Sequence, residues 1–207
     1  MPSLPPQHST STTTIATAAD LRVRRAGPGD HAAVRFLLLA AYLPYAPHVP
    51  APVFRHYLAD LLDVDRHAAQ GPLLVAEADG RIVGSAAFYP DAGTLGFGFP
   101  PGWASGRALA VHPAARGRGV ARALIAACER LARADRSPVF AFHTAGFMSS
   151  AIALYDGLGY VRAPAYDVDL AQHYGFDGYD PIPVIAYRRD LVAAATPFPA
   201  PSSPAPR

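Results

Sequence analysis

The chain of 207 residues contains no lysine and a single cysteine, Cys128. Each absence removes a class of function. A nucleoside-triphosphate loop needs its lysine to reach the phosphates, so that chemistry is excluded. One cysteine cannot close an internal disulfide. Cys128 falls on the apolar side of a helical pattern, which suits packing in a reducing cytoplasm. The formal charge is only +2, whereas nucleic-acid binding asks for a strongly basic face. Although 51% of the residues are apolar, no unbroken apolar run reaches the ~18 residues that would cross a bilayer. The eight histidines are scattered; none has a second histidine or cysteine at the short spacing of a metal site, and no metal is expected.

What is there reads as one soluble domain. Residues 1–20 are rich in Ser, Thr and Pro, and 194–207 are mostly Pro, Ala and Ser. Neither stretch has enough apolar surface to offset the entropy of ordering, so both are expected to be disordered tails around a domain over 21–193. The first twenty residues carry no arginine and no apolar core of signal-peptide length, and are read as an untargeted tail.

Within the domain, Leu21–Arg25 alternates as a strand, and Gly29-Asp30 precedes a helical pattern of Val34, Leu37, Leu38 and Ala41. After Pro44, Pro47, Pro50 and Pro52 comes a second pattern through Val53, Tyr57, Leu58, Leu61 and Leu62. Leu73–Glu77 and Ile82–Phe88 flank Asp79-Gly80, a strong hairpin signal. Arg107–His112 alternates and ends at Pro113, which cannot donate to a sheet ladder. Ala121, Leu124, Ile125, Cys128, Leu131 and Ala132 then recur at helical spacing. Val139–His143, a short helix over Ser149–Gly157, and strands near Tyr160–Val168 and Ile182–Asp190 complete the order β-α-α-β-β-β-α-β-α-β-β. The fold class is α/β, a mixed central sheet of six to seven strands with helices on both faces.

The turn Arg116-Gly117-Arg118-Gly119-Val120-Ala121 joins the alternating strand to the long helix. Glycines there let an anion approach unpaired backbone N–H groups, and the helix dipole favours negative charge. A dinucleotide fold would need a third glycine and an acidic residue at the end of the next strand; Arg122 stands at the glycine position, and Asp135 ends the helix.

The segment from Leu109 to Leu124 resembles the acetyl-CoA motif of the GNAT superfamily of N-acetyltransferases, in which a strand and Pro lead through Arg/Gln and Gly-x-Gly/Ala into a helix; Ala121 takes the final Gly/Ala position. Ser149 to Tyr160, with Ala151, Leu154, Tyr155, Leu158, Gly159 and Tyr160, is similar to a second motif of that superfamily. The resemblance implies the GNAT fold, acetyl-CoA as co-substrate, and transfer of acetyl to a primary amine of a small molecule or peptide. It assigns cofactor binding to Leu109, Ala110, Val111, Arg116, Gly117, Arg118, Gly119, Val120 and Ala121. Tyr155 is implied as general acid to the departing sulfur, although its place on a helical stripe also reads as a core aromatic. Arg107 and Arg122 join Arg116 and Arg118 in an arginine cluster expected at the coenzyme phosphates.

The general base is not evident. Many members of the superfamily use a strand glutamate, but no glutamate lies between Ala78 and Glu129. Ser105 and Gly106 stand near that position, and His112 and His143 are candidates, each also readable as a strand-end cap. The loops 42–52, 90–106 and 173–183 are expected to wall the acceptor, with Asp177 and Asp180 available to a cationic amine or serving only in a turn. A homodimer is compatible with this reading, as is a different function, a non-catalytic acyl-CoA sensor or scaffold.

Overall fold

A computed structural model describes residues 21–191; the two expected tails lie outside these residues. Among the described residues the elements are β1 (Arg22–Arg25), α1 (His31–Tyr42), α2 (Ala51–Leu62), α3 (Val64–Gln70), β2 (Leu73–Ala78), β3 (Arg81–Tyr89), β4 (Ala104–Val111), α4 (Val120–Ala134), β5 (Val139–Ala145), α5 (Ser149–Gly157), β6 (Val161–Arg162), β7 (Val168–Asp169), α6 (Leu170–His173) and β8 (Pro183–Asp190). They build one eight-stranded sheet in the order β1-β2-β3-β4-β5-β8-β6, with β7 also on β8. The β4–β5 pair is parallel, and the other pairs are antiparallel.

The sheet exceeds the expected six to seven strands because the strand expected near Tyr160–Val168 divides. Pro164 has no N–H to donate and opens a 3-10 turn, Pro164–Tyr166, which leaves β6 and β7 with two residues each. Helix α3 was not anticipated. Asp63 caps it by accepting the Arg66 N–H at 3.2 Å, the usual stabilisation of a helix start by a side-chain oxygen. The Asp79-Gly80 hairpin forms as expected, with φ of 52° and 69° at the two residues.

Strand alternation sorts the core onto two faces. Leu74, Ala76, Ala86 and Phe88 meet α4 through Val120, Leu124, Ile125 and Cys128, while Leu73, Val75, Ala87 and Tyr89 meet α1 through Val34, Leu37, Leu38 and Ala41. Gly84 permits the closest approach of α4. A Cβ there would sit 2.5 Å from Val120 Cγ1.

Strand β4 carries two irregularities that create the site. It pairs with β5 only at Ala104–Gly106 with Phe140–Phe142, so from Arg107 onward the two strands part. On its other edge, Ser85 faces Ala110 and Ala87 faces Arg107. Ala108 and Leu109 therefore oppose Ala86 alone, a β-bulge, and Ala108 takes the left-handed φ of 49°. The extra residue shifts the alternation. Ala108 and Ala110 join the α1 face, and Leu109 and Val111 pack toward α4.

Candidate active site

A cavity of about 470 Å³ occupies the gap between β4 and β5. Its volume is within the range of small-molecule sites. Of the residues implied for the cofactor, Leu109, Ala110, Val111, Arg116, Gly117, Gly119, Val120 and Ala121 line it, and Arg118 does not. Tyr155 lines it from α5.

The turn at one end is built by backbone conformation. Gly117 and Gly119 have φ of 75° and 79°, a region open to glycine at little cost. A Cβ on either would meet nothing within 4 Å, so the requirement there is torsional. Helix α4 makes its first internal hydrogen bond from Ala123 N–H to Gly119 O, at 3.0 Å. The N–H groups of Val120, Ala121 and Arg122 precede that bond and have no intrahelical acceptor. Arg116 and Arg122 are exposed beside them and line the same end. The chemistry of this end suits a diphosphate.

Arg107 is a correction. Its side chain is directed away from that end, toward α2, where its Nη2 donates to Asp60 Oδ2 at 2.5 Å and its guanidinium lies 4.4 Å from the Phe97 ring centroid. Asp60 also accepts from Arg66 and, at 3.0 Å, from the Tyr174 hydroxyl. Burial pushes the Asp60 carboxyl up, but Arg107 and Arg66 outweigh it and hold the group below the usual carboxylate range.

Tyr155 is 3% exposed and stacks on Phe142 with centroids 4.8 Å apart and planes 11° off parallel. Burial raises its phenol above the ordinary value, so it is protonated at neutral pH. The side chain belongs to the core and also lines the cavity. Gly106 is what admits its neighbour, because a Cβ there would lie 2.3 Å from Phe142 Cε1. Ser105 Oγ donates to Ala141 O at 3.1 Å and is buried. Thr144 also lines the cavity, and its buried Oγ1 has no hydrogen-bond partner among the described residues.

The two histidine candidates separate. His112 is exposed, caps the 3-10 turn Pro113–Ala115 by accepting the Ala114 N–H at 3.3 Å, and is outside the cavity lining. His143 lines the cavity, stacks on Phe99 with centroids 4.2 Å apart, and shares a 2.8 Å hydrogen bond between Nε2 and the Tyr166 carbonyl. A carbonyl only accepts, so Nε2 carries the hydrogen and Nδ1 the lone pair. Burial lowers the His143 pKa to about 4, with the Arg107 charge adding to the effect.

The acceptor walls were anticipated in part. Tyr42, Tyr45, Leu95 and Phe97 come from the first two expected loops or their edges, whereas none of residues 173–183 lines the cavity. Asp177 and Asp180 are exposed and are not brought to the site. Sequence reasoning missed Tyr57, Asp60 and Phe142. Tyr42 and Tyr57 pack edge to face at 5.9 Å, and the Tyr42 hydroxyl donates to Leu109 O at 3.1 Å, bracing the bulge. Among the described residues no group of three or more His, Cys, Asp or Glu gathers to hold a metal.

Comparison with known proteins agrees with this geometry. The sequence pattern of the Acetyltransferase (GNAT) family matches residues 32–160. N-acetyltransferase family 8 member 2 of Rattus norvegicus is 33% identical over 122 residues, covering 55% of this chain and 50% of the relative. The chain thus spans about half the length of that curated relative. Among solved structures, yncA from Salmonella typhimurium, determined with its cofactor acetyl-CoA, superposes with a TM-score of 0.57 at 20% identity over 86% of this chain and 98% of the other. A GNAT family acetyltransferase from Brucella melitensis in complex with acetyl-CoA gives a TM-score of 0.50 at 25% identity over 68% of this chain and 82% of the other. Sequence pattern, fold and cavity converge, and the chain belongs to the acetyltransferase (GNAT) family.

Proposed function

We propose that this protein is an acetyl-CoA-dependent N-acetyltransferase of the cytoplasm, acting on a primary amine of a small molecule or peptide by direct attack on the thioester. The observation that carries the reading is the parting of β4 from β5 beside a left-handed glycine turn that starts α4. In this reading the N–H groups of Val120, Ala121 and Arg122 take the diphosphate oxygens, with Gly117 and Gly119 giving room and Arg116 and Arg118 supplying charge. The main chain of Leu109, Ala110 and Val111 holds the pantetheine arm and the thioester carbonyl.

The amine nitrogen forms the C–N bond, the C–S bond breaks with its electron pair on sulfur, and nitrogen loses one proton as sulfur gains one. Holding the two partners in line within a dry cleft supplies most of the acceleration. Tyr155 donates a hydrogen bond to the departing sulfur. A phenol raised by burial is a weaker acid than a thiol of pKa about 8.5, so it stabilises the charge while keeping its proton, and the thiolate takes its proton from solvent as it leaves. His143, neutral above about pH 4, is too weak a base to retain an amine's proton and serves to relay it to solvent.

A cytoplasmic location is the reading we take from Cys128, a free cysteine with no second cysteine to pair with, which suits a reducing compartment. Among the described residues no helix is long and apolar enough to cross a membrane.

Calorimetric titration with acetyl-CoA, paired with thiol release across a panel of amines, tests the proposal. Saturable binding together with release from at least one amine is the expected result. No carboxylate lines the cavity among the described residues, which favours a second reading, a non-catalytic acyl-CoA sensor; binding without release from any amine would establish that one.

A further inference from the structure

Bracing the bulge uses only half of the Tyr42 hydroxyl. Tyr42 ends α1, four residues after Leu38 on the face that packs against the sheet. The β4 residues of that face are Ala108 and Ala110, whose short side chains leave room for a ring above the bulge. Tyr45 and Tyr57 meet that ring edge to face, with centroids 6.4 and 5.9 Å away, and so set its direction. All three tyrosines line the cavity.

The hydroxyl proton is committed to Leu109 O, at 3.1 Å. A phenol oxygen with its one donor in use presents lone pairs, so what Tyr42 offers the cavity is an acceptor. Burial raises the phenol above its ordinary value, against the lowering by the Arg107 charge, and the proton stays on through neutral pH. The oxygen can therefore accept a hydrogen bond without acting as a base.

Its place relative to Tyr155 gives that acceptor a use. Tyr42 belongs to the α1 side of the sheet and Tyr155 to the α4 side, and both reach the same cavity. They are near enough that Tyr42 adds to the rise that burial imposes on the Tyr155 phenol. One hydroxyl stands at the position read for the departing sulfur, and the other approaches the main chain of Leu109 from the opposite side.

We propose that Tyr42 orients the acceptor: its oxygen receives an N–H of the incoming amine and turns the nitrogen lone pair toward the thioester carbon. This deepens the N-acetyltransferase reading and rests on it, because that reading places the thioester along Leu109, Ala110 and Val111. The bonds made and broken are those already given, and Tyr42 neither gains nor loses a proton. Its contribution is alignment of the attacking atom.

The test is thiol release from acetyl-CoA with phenethylamine, hexylamine, spermidine and a lysine-containing peptide, each in the unaltered protein and in Tyr42→Phe. For every amine turned over, kcat/KM should fall about 30-fold, chiefly through the KM of the amine, as expected when a buried donor is left without its partner. The calorimetric dissociation constant of acetyl-CoA should change less than 2-fold. A brace alone predicts a different pattern, in which acetyl-CoA affinity falls in step with turnover.

Replacing Tyr42 by 3-fluorotyrosine separates the two roles again, and decides the matter where Tyr42→Phe fails to fold. Fluorine makes the hydroxyl a better donor and a poorer acceptor, so the bond to Leu109 O is kept while the amine KM should rise about 3-fold. An amine KM unchanged in the fluorinated protein, or acetyl-CoA affinity lost in step with turnover in Tyr42→Phe, overturns this inference and leaves the enzyme reading standing. Acetyl-CoA binding with no amine turned over by the unaltered protein overturns both.

Discussion

Tyr155 belongs to the core and also lines the cavity, and Gly106 leaves room for the ring on which it stacks. The Tyr155 ring is fixed by Phe142, so removing only the hydroxyl leaves its packing intact. Tyr155→Phe should reduce kcat about 100-fold, the lower range for removing one hydrogen-bond donor to developing charge, with the acetyl-CoA dissociation constant from calorimetry changed less than 2-fold. An unaltered kcat would remove Tyr155 from the mechanism. Gly106→Ala acts one residue further back. The added methyl meets Phe142, and displacing that ring moves Tyr155. A loss of about 1–3 kcal/mol in urea unfolding is expected, typical of an overfilled core, accompanied by reduced turnover. The glycine turn was readable in the sequence because left-handed torsion is a local property, whereas helical spacing marked Tyr155 as a core aromatic and only the family resemblance pointed it to the site. Arg107 was misassigned for the opposite reason. Its partner Asp60 is 47 positions away, and nothing in the spacing of the arginines reports which side of a bulge a guanidinium takes.

At the level of the element, β4 is the part that makes a sheet into a binding site. Ala108 holds a left-handed φ that costs an L-residue roughly 1–2 kcal/mol, and strain of this kind is concentrated at functional positions. Ala108→Gly should therefore retain activity and raise stability by up to about 1 kcal/mol, whereas Ala108→Val should lower the melting temperature and weaken acetyl-CoA binding. Thermal unfolding with and without acetyl-CoA distinguishes the two, and equal effects of both substitutions would contradict a role for the bulge. The alternation expected from Arg107 to His112 identified the strand but not this phase shift, since one inserted residue leaves almost no trace in a six-residue pattern. The same limit applies to β6 and β7. The expected strand was carried straight through Pro164, because the split depends on β8 pairing on both sides of that residue, which no local pattern reports. Asp177 and Asp180 looked suited to an amine in sequence, yet their loop packs behind α2, where Phe176 contacts His56 at 4.8 Å.

Across the whole molecule, buried imidazoles set the response to acid. His67 is 1% exposed, shares a hydrogen bond with the Tyr89 hydroxyl, and leaves Nε2 without a partner. Burial lowers its pKa to about 4, as it does for His143. A histidine ordinarily titrates near 6.5, so between those values the unfolded chain binds protons that the folded one refuses. Stability should therefore be fully present above pH 6.5 and decline as the pH falls toward 4, by at most roughly 3 kcal/mol for each imidazole. Urea midpoints at pH 7.5, 6, 5 and 4.5 measure the slope, and His67→Phe should flatten it. The carboxyl of Asp30, held at about 2 by Arg24, contributes its full stabilisation above pH 4 and loses it only below, outside this window. A midpoint independent of pH from 7.5 to 4.5 would contradict the account.

The short seam of Ala104–Gly106 against Phe140–Phe142 has a mechanical consequence. Strands β1–β4 and the group β5–β8 behave as two leaves joined by a narrow spine, and a nucleotide thioester lodged in the fork would act as a pin through both. Deuterium uptake at the spine amides should slow on saturation with acetyl-CoA more than uptake in the β2–β3 hairpin, so that occupancy of the cleft is recorded by how tightly the leaves are clasped.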